Sequence, residues 1–294
     1  MRMWRDFSDF LAGHFGGKMQ KLAVNAGFTC PNRDGTKGRG GCVYCNNSSF
    51  NPSYCDPAES VTAQIEQGRL FFGRKYPDMR YLAYFQAYTN THCDDIDRLM
   101  RLYAEACAAD GVDGVIIGTR PDCMPDALLD RLAELPWVMV EYGAESCHDS
   151  TLRRVNRCHT WADTADAVRR TAARGIPVGL HLIMGLPGET EEMMLQTIDA
   201  VNTLPVDVVK MHQLQILRGT ALAADHADVT EYDAATYARM CARFVRRLRP
   251  DIAIERFVSQ APSDLLVSPR WGLKNYQFTA LVEKELSRTT IQQI

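Results

Sequence analysis

Three cysteines stand close together in the stretch FTCPNRDGTKGRGGCVYCNNSSF, residues 28–50. Cys30 and Cys42 enclose eleven residues, and Cys42 and Cys45 enclose two. A C-x₂-C pair lets two thiolates grip one metal centre, and the glycines before it let the chain wrap that centre. Structural zinc takes four protein ligands. Iron–sulfur clusters are also usually held by four cysteines. Three thiolates on a [4Fe–4S] cluster would leave one iron open to an exogenous ligand. The spacing therefore fits two centres: such a cluster, or zinc completed from a distance by His92, His159 or Cys55. The other seven of the ten cysteines form no C-x₂-C pair, so no second cluster is expected.

A second chemical signal is cationic. Arg239, Arg243, Arg246 and Arg247 recur at i, i+4, i+7 and i+8, on one face of a helix. The first forty residues add seven bases (Arg2, Arg5, Lys18, Lys21, Arg33, Lys37, Arg39) against three acids (Asp6, Asp9, Asp34). Together they would suit a phosphate backbone, or the helix would simply present a solvated face.

The elements that must position these residues alternate along the chain. Strands are expected at 21–27, 80–88, 112–119, 137–143, 176–185 and 206–216. Helical periodicity follows each of the first five, at 59–76, 94–109, 125–135, a long region ending at 173, and 189–204. The strands are near-continuous apolar runs, as in parallel sheets covered on both faces. Such units join by right-handed crossovers. The fold class expected is α/β, a partial (β/α)₆ TIM-like barrel over residues 1–218. A small C-terminal α/β extension, residues 219–294, should pack on it, with a helix near 231–248, a strand at 252–258 and a helix at 273–287. Chemistry gathers at the C-terminal ends of barrel strands. The cysteine loop, QAYTNT, GTRPDC, EYGAES, IMGLPGET and HQLQ all fall there.

Composition sets the class and little more. The 294 residues are 46% hydrophobic and 23% charged, with a net charge of −3, which gives no global pull toward nucleic acid or membrane. MRMWRDFSDF lacks an apolar signal core, and no run approaches the ~18 apolar residues that span a bilayer. A cytoplasmic protein is expected, with its cysteines as thiols or metal ligands.

The motifs also carry a resemblance. The C-x₁₁-C-x₂-C loop after the first strand, with Tyr44 between the last two cysteines, resembles the radical S-adenosylmethionine (SAM) superfamily. GLHLIMGLPGET and EYGAESCHDSTLRRVNRCHTWAD are similar to the branch holding the radical-SAM subunit of Elongator and the oxygen-independent coproporphyrinogen oxidases. NRDGTKGRGGCVYCN, YFQAYTNT, GTRPDC and SPRWGLKNY narrow the resemblance to the bacterial YhcC/YtqA-like family, over nearly the whole chain.

That resemblance implies an enzyme. Cys30, Cys42 and Cys45 would hold a [4Fe–4S] cluster whose open iron chelates SAM, and reductive cleavage would yield a 5′-deoxyadenosyl radical. Tyr44 would lie near the adenine. Gln86 and Tyr88 stand where relatives carry a Gly-Gly-Glu-like motif for the SAM amino group, and here backbone carbonyls would serve. Thr119 matches a ribose-contacting region, although Gly118 replaces the relatives' acidic residue. Glu145 matches a polar SAM contact, and Arg157 an arginine that pairs with the SAM carboxylate. His181 would reach the ribose or remain in the core. Gly185 would allow close backbone approach. Cys123 is expected to be structural, and Glu141 to hydrogen-bond. No catalytic residue beyond these is indicated. Implied partners are tRNA, through wobble-uridine modification, and a flavodoxin- or ferredoxin-type electron donor. Alternatives are a small metabolite or peptide substrate, a non-catalytic redox-sensing iron–sulfur partner, or a zinc-stabilised binding protein.

Overall fold

The computed structural model describes residues 2–49, 51–73 and 79–291. In chain order its elements are α1 (Phe7–Phe15), β1 (Met19–Val24), α2 (Val61–Gly73), β2 (Arg80–Phe85), α3 (Ile96–Ala108), β3 (Val112–Thr119), α4 (Asp126–Leu132) and β4 (Val138–Glu145). Next come α5 (Asp149–Arg154), α6 (Trp161–Ala172), β5 (Val178–Met184), α7 (Glu191–Asn202), β6 (Val208–Gln213) and β7 (Ile216–Leu217). The chain closes with α8 (Ala221–Ala224), α9 (Ala234–Arg247), β8 (Ala253–Arg256), β9 (Leu266–Ser268) and α10 (Asn275–Ile291). The end expected for the helix at 59–76 lies outside the described residues.

All six expected strands pair in parallel, and β8 joins them as a seventh, in the order β1-β2-β3-β4-β5-β6-β8. The sheet therefore continues into the segment expected as an extension. It is an open, curled half-barrel of α/β class, with helices on its outer side. Side chains alternate across each strand. Val138, Val140 and Tyr142 of β4 face outward into the main core with the helices, while Met139 faces inward. On the outside α10 packs against α9, and α9 against α7. Trp271 and Phe278 stack with ring centroids 5.5 Å apart. They fix SPRWGLKNY to α9 through Tyr237, whose ring lies 5.4 Å from Trp271.

Two features depart from the sequence expectation. Helix α1 is the first, capped by Asp6 and Asp9 in a capping box and ended by a left-handed Gly16. Its Phe7, Phe10 and Leu11 pack on the inward Leu82, Ile116, Met139, Val208 and Ala253, so it closes the N-terminal end of the half-barrel. The second is the long helical region before residue 173, which is broken into α5 and α6. Asn156 and Cys158 hold left-handed backbone in the break. Thr160 then restarts the helix with a capping box to Asp163. The break matters because it turns Arg157 inward.

Candidate active site

The cysteine loop is held by backbone and amide contacts, and by Val43 and Tyr44 packed on a small apolar cluster that includes Val155, Leu186 and Leu214. Arg33 N–H donates to Cys30 O at 2.7 Å, Gly41 N–H to Asn32 O at 2.8 Å and Cys45 N–H to Cys42 O at 3.0 Å. Val43 N–H donates to Val155 O at 3.1 Å, and Asn156 Nδ2 donates to Gly41 O at 2.8 Å. The α5–α6 break is thus the loop's anchor. Asn32 is fully buried, with Nδ2 bonded to Asn156 O and 3.6 Å from Cys42 Sγ. A Cβ on Gly38 would lie 2.1 Å from Asn32 Oδ1, so only glycine lets the loop pass here.

Cys30, Cys42 and Cys45 are free thiols that line one cavity of about 200 Å³ at the C-terminal ends of the strands. Burial, then the neighbouring Cys42, pushes the Cys45 thiol up from its ordinary pKa. Beside them lies Arg157. Its Nη2 donates to Gly143 O at 2.6 Å and lies 3.3 Å from Glu145 Oε1, and its Nη1 is 3.7 Å from Cys42 Sγ. Any side chain at Gly143 would meet that guanidinium at 2.5 Å. Burial pushes the Glu145 carboxyl up against the opposing pull of Arg157. Below, the fully buried Arg120 donates to Arg157 O at 2.8 Å and grips both oxygens of Asp122, at 2.9 and 3.0 Å.

Most expected site residues meet on this cavity. Tyr44, Gln86, Tyr88, Thr119, Glu145, Arg157 and His181 all line it with the three cysteines. Thr119 Oγ1 is 2.5 Å from Thr91 Oγ1. Tyr88 sits at the rim, 40% exposed and left-handed, with its N–H on Asn47 Oδ1. That turn ends β2 at Phe85. Gly185 does not line the cavity: it takes a left-handed turn whose Cβ would meet the Tyr232 ring at 3.4 Å. Cys123 faces a separate outer hollow, and burial pushes its thiol up to about 11.

The floor of the cavity holds what the sequence reading missed. Lys21 of β1 reaches Glu141 Oε1 of β4 at 2.5 Å and Glu255 Oε2 of β8 at 2.6 Å. Lys210 of β6 lies 3.1 Å from Glu255 Oε1 and 3.4 Å from Glu141 Oε2, and donates to Tyr84 Oη at 3.1 Å. His181 Nε2 is 2.7 Å from Glu141 Oε2. Burial lowers the Lys210 pKa to about 8, against the pull of the carboxylates. Burial opposes the Glu141 charge, but Lys21 and Lys210 hold its carboxyl well below the usual range. These groups come from strands far apart in sequence. The available signal was a charged residue at an alternate position inside an apolar run, as in DVVKMH and IAIERF.

The zinc alternative finds no support. His92 is bound to Asp34 at 2.8 Å, His159 Nε2 lies 3.2 Å from Gly143 O, and the Cys55 thiol donates to Ala23 O at 3.1 Å. Among the described residues no group of three His, Cys, Asp or Glu side chains converges to hold a single ion. A larger centre fits better: three thiols on one wall, with the buried Tyr44 Oη and Arg157 Nε beside them and lacking partners. The cationic face is also occupied. Arg243 pairs with Glu191 at 2.5 Å, Arg247 with Asp199 at 2.6 Å, Arg246 reaches carbonyls of α10, and Arg239 donates to Thr236.

The Radical SAM superfamily pattern matches residues 29–201, and the Radical_SAM C-terminal domain pattern matches residues 206–288. The chain belongs to the radical SAM superfamily and is an enzyme that uses a [4Fe–4S] cluster and SAM. Within it, the chain is 33% identical over 281 residues to protein YtqA of Bacillus subtilis, covering 94% of this chain and 87% of that one. It is 36% identical over 286 residues to protein YhcC of Escherichia coli, covering 94% and 89%. The fold is similar to the archaeal Methanocaldococcus infernus Elp3, with a TM-score of 0.68 at 17% identity, over 92% of this chain and 63% of that chain. Among the described residues no helix is long and apolar enough to cross a membrane.

Proposed function

We propose that Cys30, Cys42 and Cys45 hold the [4Fe–4S] cluster, that SAM fills the adjoining cavity, and that the substrate is tRNA, modified at its wobble uridine. The observation that carries the cluster assignment is the set of three free thiols on one cavity wall, with each distant candidate for a fourth ligand engaged elsewhere. When bound, the cluster and SAM supply a 5′-deoxyadenosyl radical. The chain's own residues receive the cosubstrate. The Arg157 Nε, buried without a partner, would receive the SAM carboxylate. Tyr44 and Thr119 line the cavity and would receive the adenosine, with His181 bordering it from the floor. The α1 plug and the buried floor keep water from one end of the chamber.

The tRNA reading draws on kinship. The tRNA uridine(34) acetyltransferase of Methanocaldococcus infernus is 30% identical over 109 residues, which is 36% of this chain and 20% of that one. A flavodoxin- or ferredoxin-type donor would reduce the cluster, in the cytoplasm. One observation favours a second reading, a small metabolite or peptide substrate: the four arginines of α9 are held by neighbours rather than left open to phosphates.

Anaerobic reconstitution tests the class. Brown protein absorbing near 400 nm that forms 5′-deoxyadenosine on reduction with SAM is expected; zinc without iron would refute the assignment. Nucleoside profiles of bulk tRNA from cells with and without the gene test the substrate. An unchanged profile refutes tRNA and leaves the metabolite reading.

A further inference from the structure

The floor of the cavity holds one cation too many. Lys21 and Lys210 between them engage all four carboxylate oxygens of Glu141 and Glu255, with His181 taking a second place on Glu141 Oε2. Two lysines balance two carboxylates. Arg256 is then left over. Among the described residues no carboxylate pairs with it, its Nε is buried without a partner, and its one hydrogen bond runs from Nη2 to His212 Nδ1 at 3.4 Å. Glu255 reaches it only at longer range, its oxygens already shared by the two lysines, and a buried, unbonded Nε is costly.

The position is built, not incidental. Along β8, Ala253 and Glu255 face inward, so simple alternation would turn Arg256 away. The β6–β8 register shifts between Val209 and Lys210, and both Arg256 and His212 line the cavity. Just beyond, Gln213 clamps the β8 exit: its Nε2 donates to Ser259 O at 2.9 Å, and its Oε1 accepts from Ser259 N–H at 2.7 Å. His212 is held neutral by burial and by Arg256. With Nδ1 accepting from Arg256, its Nε2 carries the proton and is a second donor.

We propose that Arg256 and His212 form an anion subsite in the reaction chamber, which binds a carboxylate or phosphate group of the substrate and so selects an anionic substrate. The subsite rests on this cavity being the reaction chamber, not on tRNA being the substrate. A guanidinium fork plus one ring N–H offers three donors to two or three anionic oxygens. SAM brings a carboxylate too, but Arg157 stands against the thiols with its own open Nε.

The test uses anaerobically reconstituted, SAM-loaded protein with acetate and, separately, methyl phosphate as probes. The arginine Nε–H resonance absent from Arg256→Gln is followed by NMR through each titration. That resonance should shift with at least one probe, and the probe that shifts it names the anion class. Arg256→Gln should weaken that probe about ten-fold or more, with Arg256→Lys intermediate. SAM affinity should stay within about two-fold of wild type in both variants. No shift with either probe, equal binding in Arg256→Gln, or a matching collapse of SAM affinity would each overturn the proposal. An unchanged tRNA nucleoside profile together with a normal probe titration would remove tRNA and leave the subsite standing.

Discussion

The two ends of the cavity are built in opposite ways. At the mouth, the thiols sit on a loop held by main-chain bonds, one buried asparagine and glycines where nothing larger fits. At the floor, four charged side chains project from rigid strands and hold one another, with Arg256 beside them on His212. The mouth needs a metal centre to give its thiols a purpose. The floor is largely satisfied without any ligand, save at Arg256. Removing groups from the mouth should therefore cost cofactor, and removing them from the floor should cost stability.

The largest effect belongs to the mouth. Cys42→Ala should abolish iron retention and 5′-deoxyadenosine formation, beyond the ~10²-fold typical of losing an outer-shell partner of a metal. Far-UV circular dichroism should stay unchanged. A variant that keeps its iron and turnover would break the contrast. At the floor, Glu141→Leu leaves Lys21 and Lys210 to share Glu255 alone and should lower the unfolding free energy by about 3–5 kcal/mol, read from the denaturant midpoint. Iron binding per folded molecule should persist.

Gly38→Ala tests the seam between the two regions. Its methyl would strike Asn32, so a loss of about 1–3 kcal/mol is expected, together with weaker cluster retention. Acid should act through Asp122, where burial favours the neutral acid but Arg120 and Lys37 hold the pKa down to about 2. Its folded pKa lies below its unfolded value, so its contribution of about 2 kcal/mol is present above pH ~4 and is lost as pH falls toward ~2. Asp122→Asn should flatten the stability–pH curve in that window. The smallest effects lie on α9. Arg243→Ala and Arg247→Ala should each cost less than about 1 kcal/mol, because both pairs are solvent-exposed. If these variants weaken tRNA binding in a salt-dependent way, the second reading of the substrate is lost.

The same contrast explains what the sequence disclosed. The cysteine loop is contiguous, and within sixteen residues, Cys30 to Cys45, its spacing announces a metal centre, with the motif resemblance choosing cluster over zinc. The parallel strands were legible as apolar runs because both faces of the sheet are covered. The floor was not legible, since Lys21 and Glu255 meet across 234 positions and nothing local announces the encounter. Arg157 was readable only through its motif. Its inward turn depends on the left-handed Asn156 and Cys158, and the T-x-x-D cap at Thr160 was the overlooked sign of that break. Helix α1 escaped notice because it is short, with only Phe7, Phe10 and Leu11 buried. Gly185 shows the converse: a conspicuous motif glycine serves a turn beside Tyr232.

Helix α1 has a consequence for traffic. Phe7, Phe10 and Leu11 stopper the far end of the chamber, so its traffic runs by the end where the cysteine loop stands. Whatever settles against Arg256 therefore reaches it from the thiol side of the cavity, and the cosubstrate shares that approach. A plug that touches neither reactant thus sets the direction from which both must come.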